Sequence, residues 1–122
     1  MADKLFRLGP VAMSSTLTTN ILKGPVQAAA GTGIGAQDIY MVIRHVRIVN
    51  KTAGAVTFSL WLGATGGNAA GTEIIGNAQS VAANSSYDWY GALRMDAADY
   101  LVGGASAATS LTIEGEGALA VV

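Results

Sequence analysis

A chain of 122 residues holds one domain, because a typical domain takes roughly 100 to 150 residues and a second would have no core. Apolar residues make up 51% of it, but many are alanine, 16 glycines bury no side chain, and charged residues reach only 12% against roughly 25% in soluble domains. A core this thin under a surface this weakly charged argues against a freely diffusing monomer; the absence of cysteine excludes disulfide and thiolate chemistry, and a net charge of −1 gives no global pull toward nucleic acid or an anionic membrane.

The opening MADKLFRLGPVAM places Lys4 and Arg7 before a short apolar run that Gly9-Pro10 interrupts, so no signal-peptide core is expected. No stretch approaches the roughly 18 apolar residues of a membrane-spanning helix, and the chain reads as soluble and unsecreted. Residues 1–38 lack sustained period, broken by Gly9-Pro10, by Ser14-Ser15-Thr16, by Gly24-Pro25 and by AAAGTGIGA. They read as an extended N-terminal arm. Its Leu5, Phe6, Leu8, Val11, Leu17, Ile21 and Leu22 are too apolar for an idle tail, so the arm is expected to lie on a neighbour or on its own sheet. GTGIGA (31–36) formally satisfies G-x-G-x-x-A, but alanines precede it and a strand follows. A dinucleotide site needs a strand before and a helix after, so a hinge is the better reading.

From Ile39 the pattern is β. IYMVIRHVRIVN has Ile39, Met41 and Ile43 on one parity and Val46 and Ile48 on the other, which predicts a bulge near Arg44-His45. After the turn KTAG, VTFSLWL alternates cleanly, with Val56, Phe58, Leu60 and Leu62 on one side and Thr57, Ser59 and Trp61 on the other. GATGGNAAG is a loop without the Gly-Lys-Ser/Thr ending of a phosphate cradle. TEII and AQSVA read as short strands divided at Gly76-Asn77, and SYDWYGALRM as a strand pair. DAADYL suggests one helical turn capped by Asp96 before strand resumes at Tyr100. GGASAATS reads as the last turn, and SLTIEGEGALAVV as a closing strand with Leu111 and Ile113 inward and Glu114 and Glu116 outward.

Six to eight short strands and no long helix predict an all-β fold: a single small β-sandwich or jelly-roll-like domain over residues 39–122, preceded by the arm and hinge of 1–38, with a closed barrel as the alternative. The expected core is Ile39, Ile43, Val46, Ile48, Val56, Phe58, Leu60, Leu62, Val81, Leu101, Leu111 and Ile113.

No constellation for catalysis stands out. His45 is the only histidine, so a His-based metal cluster is excluded and any Ser-His-Asp chemistry would depend on it alone. Asp96 with Asp99 supplies two carboxylates where a hard cation wants six or more oxygens. Arg44, Arg47 and Lys51 form a basic cluster without the aromatic ladder that stacks bases; Glu114 and Glu116 are candidates to pair with it across strands or subunits. Residues 1–61 carry +4 and residues 62–122 carry −5, which read as complementary faces on neighbouring subunits or as chance. Trp61, on the polar parity of its strand, and Trp89 are candidate aromatic anchors for a partner.

IVNKTAGAVTFSLWLGATGGNAAGTE, then SVAANSSYDWYGALRMDAADYLVGGASAATSLTIEGEG, and LGPVAMSSTLTTNI near the start, resemble small structural proteins of tailed-phage virion modules. The resemblance covers roughly residues 39–117. It implies a virion protein assembled in the host cytoplasm, with itself and other virion proteins such as the major capsid protein or tail proteins as partners, and with no enzyme activity, cofactor, metal, nucleic acid or membrane. A capsid decoration or cement protein is the first reading. A tail, neck or tail-tip component is the second, and a carbohydrate-binding sandwich using Trp61 and Trp89, or a small enzyme centred on His45, comes from other classes. Assembly is expected through Leu5, Phe6, Leu8, Leu17, Ile21, Arg44, Arg47, Lys51, Trp61 and Trp89, and removal of residues 1–20 is expected to abolish attachment while leaving the β domain folded.

Overall fold

The computed structural model describes residues 4–24, 39–96 and 99–121. Eight strands follow one another: β1 (Lys4–Ala12), β2 (Asn20–Lys23), β3 (Ile39–Asn50), β4 (Val56–Gly63), β5 (Ile74–Val81), β6 (Ser85–Met95), β7 (Tyr100–Ala105) and β8 (Leu111–Val121). They form two four-stranded antiparallel sheets, ordered β1-β8-β3-β6 and β2-β7-β4-β5, packed as the predicted sandwich.

The core lies between the inner faces and is built by alternation. Ile43, Val46, Ile48, Leu111, Ile113 and Met95 from the first sheet meet Phe58, Leu60, Val81 and Leu101 from the second. Each fully buried side chain of this size contributes roughly 1.5–3 kcal/mol through the water it sheds. Of the expected core, Leu62 is only partly buried, and the Ile39 side chain lies outside what the structure describes. Met13, Met41, Met95 and Leu8 join it unannounced.

The bulge expected near Arg44-His45 is present. Ile43 pairs with Gly117 and His45 with Glu116, so one residue of β3, Arg44, has no counterpart on β8. That extra residue switches the inward parity and sends both Arg44 and His45 to the outer face.

The described residues of the stretch expected as an arm supply an edge strand to each sheet: β1 pairs with β8, and β2 with β7. Leu8 and Met13 are buried in the core as a result. The period was hidden because the β1 register shifts between Leu8 and Val11, around Gly9-Pro10, and because β2 is four residues long with a shift of its own. The segment GTGIGA, expected as a hinge, lies outside the described residues.

Three further expectations are corrected. Residues 74–81 are one strand, broken in register: Phe58 pairs with Gln79 and Leu60 with Ile74, so residues 75–78 loop out, with Ile75 and Ala78 at φ 63° and 49° and the Ala78 amide donating to Ser59 Oγ at 2.7 Å. SYDWYGALRM lies within one continuous strand rather than forming a pair. Gly103-Gly104, read as turn, lies inside β7; a Cβ on Gly103 would strike the Ser59 carbonyl and the Leu60 side chain, so this glycine permits close strand approach.

One polar side chain sits in the core at an end of the sandwich. Asn50, 1% exposed, donates to the carbonyls of Gly54 (2.9 Å) and Val81 (3.0 Å), and its Oδ1 accepts from the Thr52 amide and hydroxyl. Every hydrogen-bonding position of the amide is used, and the β3–β4 turn is tied to β5.

Candidate functional site: the outer face of the first sheet

Strand order decides which charges meet. β3 carries Arg44, His45 and Arg47 and lies between β8, with Glu114 and Glu116, and β6, with Asp88. The register places Arg47 opposite Asp88 on one side and Glu114 on the other, and His45 opposite Tyr90 and Glu116; beyond β8, Arg7 of β1 faces Glu116. The basic and acidic halves of the sequence are thus adjacent strands of one subunit. Among the described residues, Arg47 and Asp88 meet part of that charge asymmetry within the chain.

Asp88 is the hub. Its Oδ1 lies 2.8 Å from His45 Nε2 and accepts from Arg47 Nε at 2.8 Å. The bond from Arg47, then that from His45, holds the Asp88 carboxyl below the usual aspartate range, and the same bond to Asp88 raises the Arg47 guanidinium above its ordinary value. Tyr90 stacks on the His45 ring at 4.6 Å between centroids, and His45 Nδ1 is 3.9 Å from Glu116. Both imidazole nitrogens therefore face carboxylates, and neither has a hydroxyl partner among the described residues. The arrangement orients a ring and holds three strands in register. Asp96 takes Arg94 on its carboxylate, while the Asp99 carboxylate accepts the Asp96 amide, the reverse of the expected cap; residues 97 and 98 of that turn lie outside the described residues.

The predicted interface residues scatter. Leu5 is 89% exposed, beside Phe6, Arg44, Glu116, Gly117 and Ala118 around a shallow groove of about 310 Å³. Leu17 is exposed, Phe6 and Ile21 are partly buried against the core, and Leu8 is inside it. Arg44 lies in the middle of β3 and Lys51 just past its end, roughly 20 Å apart at the strand rise of about 3.3 Å per residue, so the three basic residues are not one cluster. Lys51 lines a second depression with Arg47, Asn84, Ser85 and Ser86.

Trp61 is corrected outright. It is 5% exposed, and its indole Nε1 donates to the Ala69 carbonyl at 3.0 Å. The glycine-rich loop after β4 folds back over it, so this ring on the polar parity is covered rather than displayed. Trp89 is half-buried at the core margin, and its ring occupies the space where Gly91 lacks a side chain, 2.6 Å from a Cβ built there. The displayed ring is Tyr90, 70% exposed. Asp88 went unnoticed because only the β3–β6 register reveals its partners.

Fold and surface together define an antiparallel β-sandwich of eight described strands with a charged ladder, His45–Asp88–Arg47, on the outer face of one sheet. No family model matches the chain, and no curated protein matches it. Among solved structures it is similar to chains in two structures of infectious bursal disease virus: the Gx strain, with 8% identity over 98% of this chain and 28% of that one and a TM-score of 0.40, and the Gt strain, with 11% identity over 98% and 31% and a TM-score of 0.35. The chain spans less than a third of the length of those viral chains.

Proposed function

We propose that this chain is a non-enzymatic structural subunit of a tailed-phage virion, a capsid decoration or cement protein that acts in multiple copies on the head lattice. The sequence resemblance over residues 39–117 supports the phage assignment. The observation that carries the assembly reading is the surface itself. Its ion pairs at Asp88 hold β3 to β6, while the 11-residue β6 forms a sheet edge that no described strand covers. A sandwich with a covered Trp61 has lost half of the aromatic platform that a carbohydrate-binding reading needs, and His45 between two carboxylates gives an enzyme reading no nucleophile to activate.

The test is reconstitution. Purified protein added to heads lacking it should co-sediment with them at a fixed stoichiometry and raise the temperature at which they release DNA. Binding to purified tails and not to heads would transfer the protein to the tail, neck or tail-tip reading. Binding to neither would remove the virion role.

A further inference from the structure

The four sheet edges are not equivalent. β1 is interrupted by Pro10, which has no N–H, and by its register shift; β2 has four residues; β5 loops out over 75–78 with two positive-φ residues. These are the devices that stop an edge from pairing with another chain. β6 runs 11 residues without proline or a positive φ; its register against β3 shifts once, where Gly91 and Ala92 stand opposite Arg44, and Tyr87, Trp89, Leu93 and Met95 keep one parity on either side of that point. Tyr87, Trp89 and Leu93 face inward and are only partly buried, leaving an apolar margin along the open edge.

We propose that β6 pairs with β6 of a second copy, antiparallel across a two-fold axis at Gly91, to make one continuous eight-stranded sheet. This rests on the assembly reading above and names its contact. Cross-strand neighbours share a face, so the axis must fall at a residue and not between two. Centred on Asp88, the pairing sets that carboxylate against its own copy. Centred on Tyr90, it leaves Asp88 opposite Ala92 and Arg94 opposite Ser86. Centred on Gly91, it places Asp88 opposite Arg94 of the second copy twice over on the outer face, and Trp89 opposite Leu93 and Tyr87 opposite Met95 on the inner face. Gly91 then meets Gly91 on the axis, where neither brings a side chain. Arg94, which donates to Asp96 at 2.8 Å and lies over the Tyr40 ring at 4.4 Å, comes beside the Asp88–Arg47 pair and extends the charged ladder across the interface. Nine residues from each copy, 87–95, give a paired length of about 30 Å at roughly 3.4 Å per residue.

The chain has no cysteine, so introduced thiols report on this register alone. Tyr90→Cys and Ala92→Cys are exposed changes that the proposal places directly opposite each other in a mixed dimer, at roughly 4.5–5.5 Å between Cα atoms, within disulfide reach. Mild oxidation of the two variants mixed should give disulfide-linked dimer at least tenfold above either variant alone. A mixture that cross-links no better than the separate variants overturns the pairing. Arg94→Asp, which would face Asp88 of the second copy, should weaken dimerisation at least tenfold by sedimentation equilibrium while the circular dichroism of the fold is kept; an unchanged dimer also overturns it. Protein that fails the cross-linking test yet binds heads removes only the β6 contact. Protein that cross-links as expected yet binds neither heads nor tails keeps the strand pairing and removes the virion reading.

Discussion

Asp88 Oδ1 on β6 is 2.8 Å from both His45 Nε2 and Arg47 Nε on β3, so one carboxylate oxygen joins two side chains of the neighbouring strand. The two lie on the same face because alternate residues of a strand do, and the bulge at Arg44 is what turns that parity outward although Ile43 before it points in.

The consequence is an acid-dependent contribution to stability with a defined sign. The Asp88 carboxyl titrates below its ordinary 3.8 in the folded chain because Arg47 and then His45 favour the ionised form. Its contribution is therefore fully present above that ordinary value and is lost as pH falls through the lower folded one. Wild-type protein should unfold at a higher temperature than Asp88→Asn at about pH 6, and the difference should shrink progressively below about pH 4. A thermal-melt difference that is constant down to about pH 2 would contradict this. Arg47 remains charged throughout that range and adds no pH dependence of its own.

Asn50 should be the most sensitive polar residue. Asn50→Ala strands the Val81 carbonyl in the interior and frees the β3–β4 turn, an expected loss of about 2–4 kcal/mol in urea unfolding. Thr52→Ala removes only one partner of the Asn50 oxygen and should cost about 1 kcal/mol or less. Equal costs for the two variants would contradict the assignment of Asn50 as the anchor.

Trp61 should report on folding and not on binding. Trp61→Ala removes a covered ring and should cost about 3–5 kcal/mol, whereas Trp61→Phe keeps most of the burial and gives up the bond to Ala69, about 1 kcal/mol. Indole fluorescence of the Trp89→Phe variant, which isolates Trp61, should be blue-shifted and poorly quenched by iodide. Ready quenching would return Trp61 to the surface.

Removing residues 1–20 should destroy the fold, against the expectation from sequence. The deletion takes β1 away from β8 and removes Leu8 and Met13 from the core. The truncated protein should lose cooperative unfolding and protection of β8 amides from hydrogen exchange. A truncated protein that keeps a sharp transition would show that β1 is dispensable.

What could be read in the sequence was what alternation governs. The parity of Val56, Phe58 and Leu60 on β4, and the parity switch at Arg44-His45, led directly to the sheet faces. Reading failed where tertiary contact overrides local pattern. Gly103-Gly104 has the composition of a turn but is strand interior, because only a missing Cβ lets β7 approach Ser59 and Leu60. Trp61 has the parity of a surface residue but is covered by a loop whose path no period encodes. The Asp88 hub was invisible for a different reason: residues 43 positions apart become neighbours only through strand order and register.

The most direct test of the assembly account is a cryo-electron microscopy reconstruction of the virions made by the genome that encodes this chain, with the subunit located by an epitope tag. The account predicts tagged density at symmetry-related sites on the outer surface of the head, in paired sandwiches that share a continuous sheet through β6. Tagged protein absent from purified virions, and found only free in the lysate, would contradict it.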